Sequence, residues 1–233
     1  MAGKLAIALD CDDLVEALKL ARQVSGIFSI AKVGLELYCA SGPEAVEALI
    51  EEGFDVFVDL KLHDIPNTVR KAARVIGGLG ARFATVHCQG GREMVEAAIE
   101  GFNQGAQAGG SEPPVVLGVT VLTSDPDHSS DLFDRRLAVA IQAGCGGIVC
   151  SADDLATLKN SMISDPGLRD RLLTVVPGIR TTGDDPGDQI RIATPGRALQ
   201  GGAGILVIGR SVSESKDPKS AAQAVARECL GVT

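Results

Sequence analysis

The hydrophobic and polar positions along the chain follow two alternating patterns, which predict strands and helices in turn. Short β-rich runs recur, and each is followed by a stretch such as "DDLVEALKLARQV", with apolar residues at three- and four-residue spacing. Regular alternation of this kind implies parallel strands covered by helices. The sequence therefore predicts an α/β fold, a single closed (β/α)8 TIM barrel over residues 1–233, with a doubly wound open sheet as the alternative. The eight predicted strands are Leu5–Leu9, Ser29–Val33, Asp55–Leu62, Phe83–His87, Val115–Val121, Gly147–Cys150, Leu172–Val176 and Ile205–Ile208.

The composition is compatible with one large hydrophobic core. Of the 233 residues, 45% are hydrophobic, which is enough to bury the core of a barrel of this size. Length alone also allows two smaller domains, but no linker or low-complexity segment divides the chain. The net charge is -8 and no run of Lys or Arg is present, so we do not expect a nucleic-acid surface.

The sequence also bears on the cellular compartment. No segment approaches the roughly 20 apolar residues of a membrane span, and the apolar run at the N-terminus is too short for a signal peptide. The six cysteines are scattered and include no CxxC pair. They are therefore interpreted as reduced thiols of a cytoplasmic protein that does not associate with membranes.

Polar residues follow nearly every predicted strand, at the end where a barrel builds its active site. A cluster of charges stands out at the third strand. Side chains alternate across a strand, so Asp59 and Lys61 share one face, whereas the alternate positions within Val56–Leu62 are all apolar and must pack on helices. The charged face then points into the barrel, where Asp64 and Lys32 bring the formal charge to zero. Such clusters in a cleft are more often functional than structural, and a structural salt bridge at the barrel mouth is the alternative.

A second group of residues predicts an anion site. Arg180 and Arg210 follow the seventh and eighth strands, where barrels frequently hold a phosphate, and "GGAGILVIGRS" supplies glycine amides near Arg210. The segment "TTGDDPGD" between Arg180 and Gln189 has no apolar residue, which favours a mobile lid over an ordinary surface loop. His63 and His87 are interpreted as structural, and no group of residues suggests a metal site.

Several segments resemble one enzyme family. The stretch "VDLKLHDIPNTV" carries the D-x-K-x-x-D-I-P-N-T signature of the orotidine 5′-phosphate decarboxylase family. The segments "IALD", "AKVGLEL", "VHCQGG", "GVTVLTS", "GIVCS", "VVPGIRTTGDDPGDQ" and "LVIGRSV" resemble further family segments, in order, over nearly the whole chain. The resemblance is to the bacterial branch of the family. One departure is "IRTTGDD", where many relatives carry Pro just after the Arg.

This resemblance implies the conversion of orotidine 5′-monophosphate to UMP and CO2, the last step of UMP biosynthesis, without a metal or an organic cofactor. It implies that Lys61 donates the proton to C6 of the pyrimidine and that Asp59 holds Lys61. Asp64 would lie beside the substrate carboxylate. It further implies a homodimer in which Asp64 and Thr68 reach into the partner subunit's site. Lys32 is also assigned to the catalytic residues, with Lys61, Asp59 and Asp64. The positions that the resemblance assigns to substrate binding are Asp10, Lys32, Asp59, Ile65, Thr68, Thr123, Ser124, Arg180, Gln189, Gly209 and Arg210, with Asp10 and Lys32 at the ribose and Arg210 on the phosphate.

Two other functions remain as alternatives. Mg²⁺-dependent sugar-phosphate decarboxylases and lyases of the same barrel group share D-x-K-x-x-D, and those resembling 3-keto-gulonate 6-phosphate decarboxylase add a carboxylate just before it. Phe57 stands where that acid is wanted, which argues against the metal-dependent branch. A nucleotide-binding protein without catalysis is the other alternative, but binding alone would not need four clustered charges.

Overall fold

The eight predicted strands form a closed parallel barrel in the order β1 to β8, with β8 pairing back to β1. The fold is seen in a computed structural model that describes residues 4–164, 167–181 and 191–231. The prediction of a (β/α)8 barrel is confirmed, and the doubly wound alternative is wrong because the sheet closes. The strands are β1 Lys4–Ala8, β2 Ile30–Val33, β3 Asp55–Leu62, β4 Phe83–His87, β5 Val115–Val119, β6 Gly147–Val149, β7 Leu173–Ile179 and β8 Ile205–Ile208.

Helices surround the barrel, and several begin with the residues that the sequence pattern indicated. Pro43 and Pro218 occupy first-turn positions, where the missing N–H costs nothing. The described helices are α1 Leu14–Val24, α2 Leu35–Ser41, α3 Pro43–Glu51, α4 Pro66–Gly77, α5 Gly91–Gly109, α6 Ser130–Ala143, α7 Asp154–Ser164, α8 Leu168–Arg171, α9 Pro195–Gly201, α10 Arg210–Ser213 and α11 Pro218–Cys229. None of these is long and apolar enough to cross a membrane.

The core has two apolar layers, and the inner layer closes the barrel beneath its mouth. Outward-facing strand residues such as Val56 and Val58 pack against the helices. The inner cluster fills the barrel and consists of Ala6, Ala8, Ile30, Phe57, Phe83, Leu117, Val119, Val149, Val175, Ile205 and Val207. Because these side chains fill the middle of the barrel, polar groups on the same strand faces are left to its two ends, and those beyond Phe57 on β3 lie at the mouth.

The β3–β4 pair departs from regular pairing beside the charged cluster. Its register shifts between Val58 and Leu62. Lys61 has φ 50°, the sole positive φ outside glycine in the part of the chain that the structure describes. A lysine in this left-handed conformation costs roughly 1–2 kcal/mol, so the surrounding contacts must hold it there. The bulge interrupts the ladder but leaves Asp59 and Lys61 on the barrel interior.

Candidate active site

A cavity of about 690 Å³ opens at the C-terminal ends of the strands. Its floor is formed by inner-layer residues, among them Ala8, Phe57 and Val119. Its walls carry most of the site residues predicted from the sequence. Those that line it are Asp10, Lys32, Asp59, Lys61, Thr123, Arg180, Gly209 and Arg210.

The four groups Asp10, Lys32, Asp59 and Lys61 form a continuous chain of ion pairs across β1, β2 and β3. Nζ of Lys32 lies 2.9 Å from Oδ1 of Asp10 and 3.9 Å from Oδ2 of Asp59. Nζ of Lys61 lies 2.8 Å from the same Asp59 oxygen. The predicted charge cluster is therefore assembled within one chain, except for Asp64.

Asp59 is the centre of this chain and is held in its charged form. Burial alone would raise its pKa, but Lys61 and Lys32, together with hydrogen bonds from Lys61 and Thr85, outweigh burial and lower it. Two lysines flank one buried carboxylate and Asp10 balances the remaining charge, so the cluster is neutral as a whole and places the Lys61 ammonium on the cavity. Such a site suits a reaction in which negative charge develops on the substrate.

Small residues leave room for these groups. Gly34 follows β2, and a Cβ at this position would lie 3.0 Å from both Oδ1 of Asp10 and Nζ of Lys32. Such a contact would require one of the two side chains to shift by a few tenths of an ångström. The glycine in "AKVGLEL" thus has a role at the site that the sequence alone does not reveal.

Two cationic groups line the part of the cavity that follows β7 and β8. Arg180 directly follows β7, is buried, and donates from Nη1 to the carbonyl of Ile179 at 3.0 Å. Arg210 opens α10 after Gly209, whose place in the cavity wall allows its backbone to approach a ligand. The predicted anion site therefore has both of its arginines on the cavity. Gln189 and the rest of residues 182–190, which include most of the predicted lid, lie outside the described residues.

Four predicted residues do not line the cavity. Asp64 and Ile65 lie on the connection from β3 into α4, Thr68 lies in the first turn of α4, and Ser124 lies beyond Thr123. All four are exposed, and Ile65 is 66% exposed. Oδ1 of Asp64 accepts a hydrogen bond from the Ile65 N–H at 2.7 Å. Within one chain, then, the D-x-K-x-x-D motif is divided between the cavity and the surface beside it.

Thr85 is a buried neighbour of the charged cluster that the sequence interpretation missed. It lies on β4, two residues from Phe83 on the same face, and its hydroxyl contacts both Asp59 and the backbone of Lys61. Alternation along "FATVH" could have placed this side chain inside the barrel. Nothing in the sequence marked it as a partner of the motif on β3, because threonine is common in strands.

Arg191 is a second residue that the sequence interpretation missed. Its guanidinium forms a buried ion pair with Asp154 at 3.0 Å. It also donates to the carbonyls of Val121 and Leu122, at 3.2 and 2.9 Å. These carbonyls immediately precede Thr123, so Arg191 supports the loop that brings Thr123 to the cavity.

The histidines predicted to be structural form a stacked pair at the barrel mouth. The rings of His63 and His87 lie 5.4 Å apart with an interplanar angle of 26°. Burial, aided by the nearby Arg136, lowers the pKa of His87 to about 4. Its Nδ1 accepts the N–H of Gln89 at 3.2 Å, which also requires a neutral ring. This packing fits the structural role predicted for both rings.

Comparison with known proteins identifies the family. The sequence profile of the orotidine 5′-phosphate decarboxylase / HUMPS family matches residues 3–225. The chain belongs to this family. It is 42% identical to an orotidine 5′-phosphate decarboxylase of Anaeromyxobacter sp. (strain K), over 96% of each chain. It is 40% identical to that of Nitratidesulfovibrio vulgaris (strain DP4), over 99% of each.

Solved structures of the family agree with this assignment. The crystal structure of orotidine 5′-phosphate decarboxylase from Lactobacillus acidophilus matches with a TM-score of 0.78 and 31% identity, over 97% of this chain and 99% of that one. The family predicted from "VDLKLHDIPNTV" and its companion segments is confirmed. Full-length similarity to relatives that carry the decarboxylase name does not favour the metal-dependent alternative.

Proposed function

We propose that this chain decarboxylates orotidine 5′-monophosphate to UMP and CO2, with Lys61 as the proton donor and without a metal or organic cofactor. The observation that carries the proposal is the position of Lys61 on the cavity, with Nζ held 2.8 Å from Asp59. Full-length similarity to decarboxylases supports the same reaction.

The chemistry follows from the position of the Lys61 ammonium. Breaking the bond between C6 and the carboxylate carbon releases CO2 and leaves the electron pair at C6. The pyrimidine ring offers no electron sink, so the developing charge must be stabilised from outside. A fixed ammonium at Lys61 does this and then transfers a proton from Nζ to C6, which yields UMP; the neutral amine regains its proton from water.

Binding of the phosphate supplies energy at a distance from the reacting carbon. Arg180 and Arg210 line the cavity after β7 and β8, and we assign them to the anionic 5′-phosphate, with Gln189 and Gly209 as further contacts. Asp10 and Lys32 are assigned to the ribose and Thr123 to the substrate, whereas the base contact of Ser124, which is exposed and outside the cavity lining, stays a prediction. Contacts to a remote phosphate can offset the cost of ordering the charged groups around the base.

We also propose that the active enzyme is a homodimer with shared sites. The support is the position of Asp64, Ile65 and Thr68, which belong to the signature yet lie on the exposed surface beside the cavity. A two-fold interface at this surface would bring Asp64 of one chain to the Lys61 of the other. Ile65, an exposed apolar side chain between two polar members of the motif, would be covered in the same contact. A cytoplasmic location likewise stays a prediction.

A substrate comparison tests the proposed reaction. Purified protein is incubated with orotidine 5′-monophosphate or with 3-keto-gulonate 6-phosphate, each after exhaustive EDTA treatment and again with Mg²⁺ restored. We expect loss of the orotate chromophore in the ultraviolet and formation of UMP, at the same rate with and without Mg²⁺. Turnover of the sugar phosphate alone, or turnover of the nucleotide that EDTA abolishes and Mg²⁺ restores, would contradict the proposal.

A further inference from the structure

We propose that Thr85 is a positioning residue that fixes Lys61 at two points, its backbone and, through Asp59, its ammonium group. The Thr85 side chain comes from β4 and is 1% exposed. Its Oγ1 accepts the backbone N–H of Lys61 at 2.9 Å and donates to Oδ1 of Asp59 at 3.0 Å. The inference rests on the proposed function, because it assigns Thr85 a part in the step that Lys61 performs.

The backbone of Lys61 needs such a support. Its φ of 50° is unfavourable for a lysine, and the β3–β4 ladder loses its register between Val58 and Leu62. The N–H of Lys61 therefore points to the Thr85 hydroxyl, which is the partner that the structure gives it at this break. A buried N–H without a partner would cost free energy and would favour a return to regular strand geometry.

The direction of the hydroxyl proton fixes the carboxylate as well. A backbone N–H can only donate, so Thr85 accepts from Lys61 and its own proton is left for Asp59, which can only accept. The two carboxylate oxygens of Asp59 therefore have different partners. Oδ1 faces Thr85, whereas Oδ2 faces the ammonium groups of Lys61 and Lys32, at 2.8 and 3.9 Å. The Thr85 hydroxyl thus binds both the backbone of Lys61 and the Asp59 carboxylate that orients the Lys61 ammonium.

This arrangement predicts that removal of the Thr85 hydroxyl slows the chemical step and leaves ligand binding nearly unchanged. Thr85 is absent from the lining of the cavity, so it should not contact the substrate. The variant Thr85→Val keeps the shape of the side chain but removes the hydroxyl. Because a misplaced catalytic group can cost on the order of a hundredfold, we expect the single-turnover rate constant to fall by about 10- to 100-fold. The dissociation constant of UMP, measured by calorimetry, should stay within about threefold.

Two companion variants separate positioning from stability. Thr85→Ser retains the hydroxyl and should recover the rate to within a few-fold of wild type. Thr174→Val is the matched control, because Thr174 is buried near the start of β7, donates to the carbonyl of Gly202 at 2.9 Å and accepts the N–H of Gly204 at 3.0 Å. Like Thr85, it accepts one backbone N–H and donates one hydrogen bond, here to a carbonyl at the opposite end of the barrel. Removing its hydroxyl should lower the unfolding midpoint and leave the rate per folded molecule unchanged.

The outcomes distinguish this inference from the proposed function. If wild type does not turn over orotidine 5′-monophosphate, the proposed function fails. If wild type is active but Thr85→Val retains its rate within threefold, or slows no more than Thr174→Val, the positioning role is overturned. A loss that appears mainly in UMP affinity overturns it too. If Thr85→Val does not fold, Thr85→Cys replaces it, because its thiol is only a weak donor. The same limits on the rate and on UMP affinity then apply to Thr85→Cys.

Discussion

Replacing Arg191 by methionine should strongly destabilise the fold, because it removes the cation from a buried network at the ends of β5 and β6. The side chains of Arg191 and Asp154 are 6% and 9% exposed. Nη1 of Arg191 contacts both carboxylate oxygens of Asp154 at 3.0 Å and Oγ of Ser151 at 2.9 Å. Nη2 donates to the carbonyls of Val121 and Leu122. Methionine can fill part of the same space but makes none of these contacts.

The magnitude follows from what the substitution leaves behind. Asp154 would keep its hydrogen bonds from the N–H and hydroxyl of Ser151, at 3.0 and 2.8 Å, but its charge would be buried without a cation. Breaking a buried ion pair by removing one partner costs roughly 3–5 kcal/mol. Two carbonyls would lose donors as well, although these losses overlap with the first and do not simply add. We therefore expect the free energy of unfolding to fall by about 3–5 kcal/mol, out of the roughly 5–15 kcal/mol of a typical domain.

The chain offers a matched control in Arg197, which pairs with Asp153 at 2.9 Å while the two side chains are 66% and 50% exposed. Arg197→Met should cost no more than about 1 kcal/mol, since exposed ion pairs contribute little. Urea unfolding followed by circular dichroism gives both values. The double variant Arg191→Met with Asp154→Asn should cost less than the sum of its single changes. Equal decreases in the free energy of unfolding for Arg191→Met and Arg197→Met would refute the reasoning.

Three further predictions concern pH, phosphate binding and the dimer. Because the pKa of His87 is about 4 in the folded protein and about 6.5 when unfolded, the unfolded chain binds the proton first as pH falls. Between pH 8 and pH 5, the free energy of unfolding should therefore fall by about 2 kcal/mol more for wild type than for His87→Gln. An equal change in the urea midpoint of the two proteins between these pH values would contradict this. Arg210→Ala should weaken UMP binding about 10- to 100-fold in calorimetry and leave uridine binding unchanged, and equal losses for both ligands would argue against a phosphate contact. Co-refolding Lys61→Ala with Asp64→Asn should restore about a quarter of wild-type sites, because half of the random dimers are mixed and each of these has one intact site. Mixed dimers confirmed by mass spectrometry but lacking activity would exclude the shared site.

The charged cluster was predictable because it rests on local regularities. Strand alternation placed Asp59 and Lys61 on the inner face of β3, and the β2 run placed Lys32 on the neighbouring strand. The barrel followed from the same alternation between strands and helices. The length of β7 was less accessible, because its extension to Ile179 follows a register shift against β8, after which Ile179 pairs with Ile208.

The supporting contacts were not predictable for a related reason. The positive φ of Lys61 depends on a register shift between two strands, and a pattern within one strand carries no information about register with its neighbour. Thr85 and Lys61 lie 24 residues apart, and Arg191 and Asp154 lie 37 apart. Such partners are chosen by tertiary packing, so the individual residues look ordinary in the sequence.

The central claim is that Lys61 drives the decarboxylation of orotidine 5′-monophosphate. The most direct measurement follows the release of labelled CO2 from carboxyl-labelled substrate by wild type and Lys61→Ala, with Lys159→Ala, an exposed lysine on α7, as the control. We expect wild type and the control to release one CO2 for each UMP formed. Lys61→Ala should still bind UMP but lose turnover by about a thousandfold or more. No CO2 from wild type, or turnover by Lys61→Ala within tenfold of wild type, would contradict the account.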